Sequence, residues 1–257
     1  MGFPVPQKLP VCSRVNSAGN EKGMVNQMRI CGLQKLAMVD YPGKVAATVF
    51  AGGCNLRCPF CHNALLVTRL NESPTMDENE VLAFLKKRRG LLDGMVLSGG
   101  EPLMQAGAVD FLRKVRELGY AIKIDTNGCY PQRLAEILEA GLADYVAMDI
   151  KNSREKYAMT CGLQELDLTP IEESVRLLRE SGIAYEFRTT VVRELHTAED
   201  MESIGRWLGE VPHYYLQNFV DSGNLIGTGL SAFEPVELEE MAAVLRKYAI
   251  NVALRGI

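Results

Sequence analysis

The sequence predicts an α/β fold arranged as a partial (β/α)6 TIM-like barrel, and three observations carry that prediction. Short apolar runs alternate with amphipathic stretches from about residue 31 to near the end, the pattern of strands joined by helical crossovers. Six runs fit strands that are each followed by a helix or a long loop. Polar or glycine-rich residues gather where almost every one of those strands ends, as they do at the catalytic face of parallel barrels. An open doubly wound sheet would use the same alternation; the shared placement of the polar residues favours the barrel.

Taken in order, residues 1–30 are rich in Pro, Asn, Ser and Gly without a sustained period, which predicts an irregular extension ahead of a single core domain over 31–257. Strands are expected at 45–50, 95–98, 121–125, 145–151, 185–191 and 214–219, with a last one at 251–254. Between the first two, Thr75-Met-Asp-Glu78 reads as a capping box ahead of Val81, Leu82 and Leu85. Ala108, Phe111, Leu112, Val115 and Leu118 fall on one helical face, and Gly119 closes that helix. Thr169-Pro170-Ile171-Glu172 joins a second capping box to a proline at the first helical position. A helix running from acidic to basic is expected over 235–248.

Composition narrows the function. The 257 residues are 47% hydrophobic and 23% charged, which excludes a disordered tail or a collagen-like rod. With 28 basic and 32 acidic residues the net charge is −4, so nothing points to a nucleic-acid partner. No run approaches the roughly 20 apolar residues of a membrane span, and the first thirty residues lack a basic start followed by an apolar core. The opening Met1-Gly2 is not a lipidation signal, because Pro6 stands where Ser or Thr is required. A cytoplasmic protein without a membrane partner is the expectation.

The seven cysteines are an odd set: Cys54, Cys58 and Cys61 are crowded together, while Cys12, Cys31, Cys129 and Cys161 are scattered. A disulfide framework would be spread and paired. The trio places thiols at i, i+4 and i+7 of one loop, which suits an iron-sulfur cluster or zinc. Three protein ligands leave a metal with an open position, where chemistry can occur. The other strand ends carry Ser98-Gly-Gly-Glu-Pro102, Asp125-Thr-Asn-Gly128 and Asp149-Ile-Lys151, with Arg188-Thr-Thr190 and Gln217-Asn218 in the last two main strands. Asp149 and Lys151, two apart on a strand, share a face. Cys129 and Cys161 read as ordinary buried thiols, His196 and His213 as surface residues, and Arg188 could simply pair with Glu186. Gly223 to Gly229 reads as a flexible loop that gates access, since it lacks phosphate-loop spacing.

Cys54-x-x-x-Cys58-x-x-Cys61, with Phe60 just before the last cysteine and Gly99-Gly-Glu-Pro102 downstream, resembles the radical S-adenosylmethionine (SAM) superfamily. Cys61-His-Asn63, Asp125-Thr-Asn-Gly128 and Asp149-x-Lys151 resemble the activases of glycyl-radical enzymes within it. Gly32-Leu-Gln-Lys35, Asp40-Tyr-Pro-Gly-Lys44 and Leu254-Arg-Gly256 look most like the activators of anaerobic ribonucleoside-triphosphate reductases. The resemblance implies a 4Fe-4S cluster on the three cysteines, with SAM chelating the open iron. It also implies that Gly99 and Gly100, with Glu101 nearby, receive the methionine ammonium, that Phe60 and His62 lie along the adenosine, and that Asp149 and Lys151 sit against SAM. Arg188 and Gln217 are further SAM contacts, Gln217 or Asn218 standing where the family has a histidine. A monovalent cation is implied near Asp125, Thr126, Met148 and Asp149. The implied activity is reductive cleavage of SAM to a 5′-deoxyadenosyl radical that removes an α-hydrogen from a glycine of a partner enzyme, with a flavodoxin or ferredoxin as electron donor. The cofactors carry that chemistry, so no acid-base triad is expected. Two rivals use the same residues: radical SAM chemistry on a small molecule such as a modified-purine precursor, and a non-catalytic iron-sulfur protein.

Overall fold

The computed structural model describes residues 27–256; the proposed extension lies almost wholly outside them, as does Cys12. Eight strands form one sheet in chain order: β1 (Ile30–Ala37), β2 (Ala46–Ala51), β3 (Gly94–Gly99), β4 (Ala121–Thr126), β5 (Tyr145–Asp149), β6 (Ala184–Val191), β7 (Val211–Asn218) and β8 (Ala249–Arg255). From β2 to β8 every neighbour pair is parallel, and β1 pairs antiparallel with β2. Parallel neighbours need crossovers, which contain α1 (Ala64–Thr68) and α2 (Glu78–Lys87), α3 (Ala108–Glu117), α4 (Pro131–Glu139), α5 (Tyr157–Thr160) and α6 (Thr169–Glu180), α7 (Ala198–Leu208) and α8 (Pro235–Leu245). The partial parallel α/β barrel expected from the sequence is the fold observed, with β1 and β8 as its two edges.

Alternation along each strand separates two environments. Met95, Leu97, Ile122, Ile124, Val146 and Phe187 enter one continuous core with helix residues such as Leu112, Ile137, Leu178 and Ile204. Their strand neighbours face the other way. There Tyr41, Ala46 and Val96 form a small apolar plug at the amino-terminal ends, with Ala121 and Tyr145 packed on it. Further along the same faces stand Ser98, Lys123, Asp125, Asp149, Glu186 and Arg188, so the barrel interior turns from apolar to charged toward the carboxyl-terminal ends.

Four local expectations change. The strand β1 has no counterpart in the sequence reading; its residues alternate poorly, three consecutive positions being exposed, and its register on β2 is broken twice. Helix α2 is capped by Asp77, whose carboxylate accepts from Asn79 N–H at 2.7 Å, and not by Thr75. At α6, Thr169 is already helical and Leu168 takes the cap position, while Asp167 accepts from Thr169 N–H at 3.0 Å. The segment over 223–229 is docked, because Gly227 N–H donates to Pro59 O at 2.7 Å and so sits on the cysteine loop.

Candidate active site

The cysteine loop leaves β2 and folds back on itself. Arg57 Nη1 donates to the carbonyls of Cys54 at 2.6 Å and Leu56 at 2.8 Å, and Cys61 N–H closes a turn on Cys58 O at 3.1 Å. The three thiols line one cavity of about 230 Å3 at the carboxyl-terminal ends of the strands. Among the described residues no three His, Cys, Asp or Glu side chains converge to hold a single metal ion. Three thiols lining one cavity can each hold a different iron of one cluster. Burial pushes the Cys54 thiol up to about 12 and raises Cys61 as well. Such groups surrender their protons to a metal that replaces the charge, and the residues present fit the cluster.

Gly99 and Gly100 bring β3 hard against β2. Gly99 has φ +115°, and a Cβ on Gly100 would stand 1.9 Å from Gly53 O. Gly100 N–H donates to Ala51 O at 2.9 Å, and Asn63 Nδ2 donates to Gly99 O at 2.7 Å. Glu101 is fully buried and does not line the cavity. Its carboxylate accepts from Leu103 N–H at 3.0 Å, Thr126 Oγ1 at 2.9 Å and Asn127 N–H at 2.7 Å, tying the loop after β3 to the loop after β4.

The opposite wall is a charged ladder. Asp149 accepts from Lys151 Nζ at 2.8 Å and from Arg188 Nε. Arg188 also reaches Asp125 at 3.5 Å, and Asp125 further accepts from Ser98 Oγ at 2.9 Å and from Lys123. Burial alone would raise Asp149, yet Arg188 and then Lys151 outweigh it and hold the carboxyl well below the usual range. The same carboxylate overcomes the burial that would otherwise lower Lys151 and keeps that ammonium charged. Arg188 therefore does not pair with Glu186, which is taken by Arg255 and Tyr145. Gln217 lines the cavity beside Thr190, its partner in register. Asn218 instead holds the backbone of Phe233 in both directions.

The structure thus brings the sequence-predicted site residues to the walls of one cavity, except Glu101, Asn218 and Met148, which is buried in the core, and it adds Asn63, Asn127 and Thr190. The two asparagines lie in strings already singled out; Thr190 is one strand period beyond Arg188. His196 is a correction. It is 2% exposed, with Nε2 at 2.8 Å from Lys151 O and Nδ1 accepting from Val192 N–H at 3.1 Å. Nδ1 also lies 3.3 Å from Val192 O, so both ring nitrogens face backbone carbonyls. The ring also packs edge-on to Phe60, centroids 6.4 Å apart, while His62 lies 6.2 Å from Phe219. No signal in the local sequence separates this histidine from a surface one.

Residues 48–208 match the radical SAM superfamily. A protein of Methanocaldococcus jannaschii, provisionally named a glycyl-radical enzyme activating enzyme, is 33% identical over 236 residues, covering 89% of this chain and 96% of its own. A pyruvate formate-lyase-activating enzyme of Clostridium pasteurianum is 33% identical over 129 residues, 48% of this chain and 52% of its own length. A 7-carboxy-7-deazaguanine synthase of Methanopyrus kandleri matches at 33% over 43% of this chain and 51% of its own, and a GTP 3′,8-cyclase of Alkaliphilus oremlandii at 33% over 48% and 41%. Among solved structures, a domain of pyruvate-formate lyase-activating enzyme from Bacteroides vulgatus shares the fold, with TM-score 0.53 at 16% identity over 63% of this chain and 99% of that one. The chain belongs to the radical SAM superfamily, and it is an enzyme whose family works with a 4Fe-4S cluster and SAM. Among the described residues no helix is long and apolar enough to cross a membrane.

Proposed function

We propose that this chain is an activase that makes a glycyl radical in a partner enzyme, most specifically an anaerobic ribonucleoside-triphosphate reductase. The observation that carries the first part is the similarity to the M. jannaschii protein along nearly the whole of both chains; relatives acting on small molecules match about half of this one, as does a pyruvate formate-lyase-activating enzyme. The strings that support the reductase as target lie on the two edges of the sheet: Gly32 to Lys35 on β1, Asp40 to Lys44 in the turn to β2, and Leu254 to Gly256 at the end of β8.

When bound, the cluster and SAM supply a one-electron cleavage whose product removes a glycine α-hydrogen. The chain's own residues hold and orient them. Cys54, Cys58 and Cys61 would each ligate one iron. Lys151 and Arg188 are charged and partly exposed to the cavity, so they offer cations to the SAM carboxylate. The Gly99 carbonyl has a second lone pair for the methionine ammonium, with backbone close because neither glycine carries a Cβ. Phe60 and His62 offer ring faces along the adenosine. A monovalent cation near Asp125, Thr126, Met148 and Asp149 is part of the same reading; there Asp125 accepts from Lys123 and pairs with Arg188, and Asp149 accepts from Lys151 and Arg188. A flavodoxin or ferredoxin would deliver the electron.

Reconstituted anaerobically and mixed with SAM, dithionite and candidate glycyl-radical enzymes, the protein should give a glycine-centred doublet by electron paramagnetic resonance with the ribonucleotide reductase alone. 5′-Deoxyadenosine without a doublet from any candidate would overturn the activase reading in favour of a small-molecule substrate. Cys58→Ala should abolish 5′-deoxyadenosine formation.

A further inference from the structure

Cys58 is buried while Cys54 and Cys61 are half-buried, and the residues on either side of it are held by segments far away in the chain. On one side Arg57 N–H donates to Cys161 O at 2.9 Å, and Gly162, just after α5, packs so closely that a Cβ there would overlap Arg57 O. On the other side Gly227 N–H donates to Pro59 O at 2.7 Å, and a Cβ on Gly227 would stand 2.6 Å from Pro59 Cβ and 3.2 Å from its Cα. Those atoms belong to a closed ring and to backbone, so neither can swing aside. Two glycines from two different connections thus grip the cysteine loop one residue before and one residue after Cys58. The second grip sits at the tip of the connection from β7 to α8. Its base is fastened, because Asn218 pairs with the backbone of Phe233, Ser231 N–H donates to Glu194 at 2.9 Å, and Ser231 O accepts from Arg193 N–H at 3.0 Å. Across 220–230 the bond to Pro59 O is the one hydrogen bond that reaches another part of the described chain.

We propose that Gly162 and Gly227 are positioning residues for the cluster, acting through Arg57 and Pro59 to fix Cys58 and to keep solvent from its sulfur. The inference rests on the cluster reading of the three cysteines. The shell packed around a metal site controls how far solvent reaches it. Here that shell closes because neither glycine carries a side chain to hold the segments apart.

The test compares the wild-type holoenzyme with Gly227→Ala, Thr228→Ala, Pro59→Gly and the double variant Gly227→Ala/Pro59→Gly. Each is reconstituted anaerobically, assayed for iron and sulfide, and mixed with excess EDTA under nitrogen while cluster loss is followed by its visible absorbance. Gly227 does not have a positive φ, so Pro59 alone stands in the way of alanine there. Gly227→Ala should load a full cluster and lose it about tenfold faster than wild type, as overpacking lifts the segment off the cysteine loop. Thr228 is exposed, and Thr228→Ala should match wild type. Pro59→Gly removes the Cβ that the new methyl meets, so the double variant should lose iron no faster than Pro59→Gly alone. A fully loaded Gly227→Ala with the wild-type rate would overturn the proposal, as would a Thr228→Ala that is equally fast. A Gly227→Ala effect that persists undiminished beside Pro59→Gly would overturn it too, by showing that the contact with Pro59 is not the cause. A cluster-free Gly227→Ala that is unfolded by circular dichroism would do the same, by making Gly227 a packing residue of the whole fold. A wild-type chain that takes up no cluster would instead bring down the cluster reading, and this proposal with it.

Discussion

The two walls of the cavity are made in different ways. On the β2 to β4 side the wall is mostly backbone: the cysteine loop bonds to its own carbonyls through Arg57, Gly99 and Gly100 press on β2, and Glu101 ties two loops together. On the β5 to β7 side it is side chains standing on strands and strand ends, Asp149, Lys151, Arg188, Thr190 and Gln217. The first wall is fixed by shape and has no room for an added atom. The second is fixed by charge, and its members tolerate a change of shape better than the loss of a partner.

Gly100→Ala breaks that comparison hardest. The added methyl would need to occupy a point 1.9 Å from a backbone carbonyl oxygen, and backbone cannot step aside as the end of a flexible side chain can. The variant should lose most of its cluster on reconstitution and at least tenfold of its 5′-deoxyadenosine formation, read by iron assay and chromatography. Normal iron and activity would show that the loop after β3 is pliable and that the shape argument fails on that wall.

Arg188 tests the charged wall. It reaches two carboxylates, so Arg188→Ala leaves Asp125 and Asp149 facing each other with less compensation, and removing one partner of a buried pair costs about 3–5 kcal/mol. Arg188→Lys should recover part of this, because it keeps the charge but not the planar fork that spans two acceptors. Asp149 is held low by Arg188, so the stability it contributes is present above the unfolded carboxylate range and fades as pH falls through its own depressed value. The penalty in the Ala variant should therefore be full at pH 7 in urea denaturation. Equal losses in the Ala and Lys variants would mean that geometry, not charge, rules this wall too.

The same contrast explains what the sequence made legible. Parallel strands, the cysteine loop and the glycine pair stood out because each imposes a local pattern: an alternation, a spacing, a residue type without a Cβ. The charged wall was only partly legible. Asp149 and Lys151 are two apart and announce a shared face, but the choice of Asp149 over Glu186 as the partner of Arg188 depends on which strands are neighbours and in what register. His196 is illegible as a buried residue because its environment comes from Lys151 O, 45 positions away in the chain. The strand β1 escaped notice because an edge strand with exposed residues carries little alternation.

Glu101 is the point where the backbone-built wall depends on a titratable group, and it gives the smallest predicted effect. Burial pushes its carboxyl up to about 7, more than the donors at Asn127, Thr126 and Leu103 pull it down. A raised carboxyl keeps its proton in the native chain at pH values where the unfolded chain has lost it. Its contribution to stability is therefore complete below about 4.5 and disappears as pH rises through about 7. When protonated, the carboxyl can donate to Thr126 Oγ1, which lies 2.9 Å away. Glu101→Gln removes the titration and turns an amide N–H2 toward a backbone donor, so it should be less stable than wild type at pH 5. The gap should narrow by up to about 3 kcal/mol by pH 8, measured by urea denaturation of the cluster-free chain at both values. A gap that stays constant would mean that Glu101 is ionised throughout, and that its three hydrogen bonds, not its burial, decide how the two loops are held.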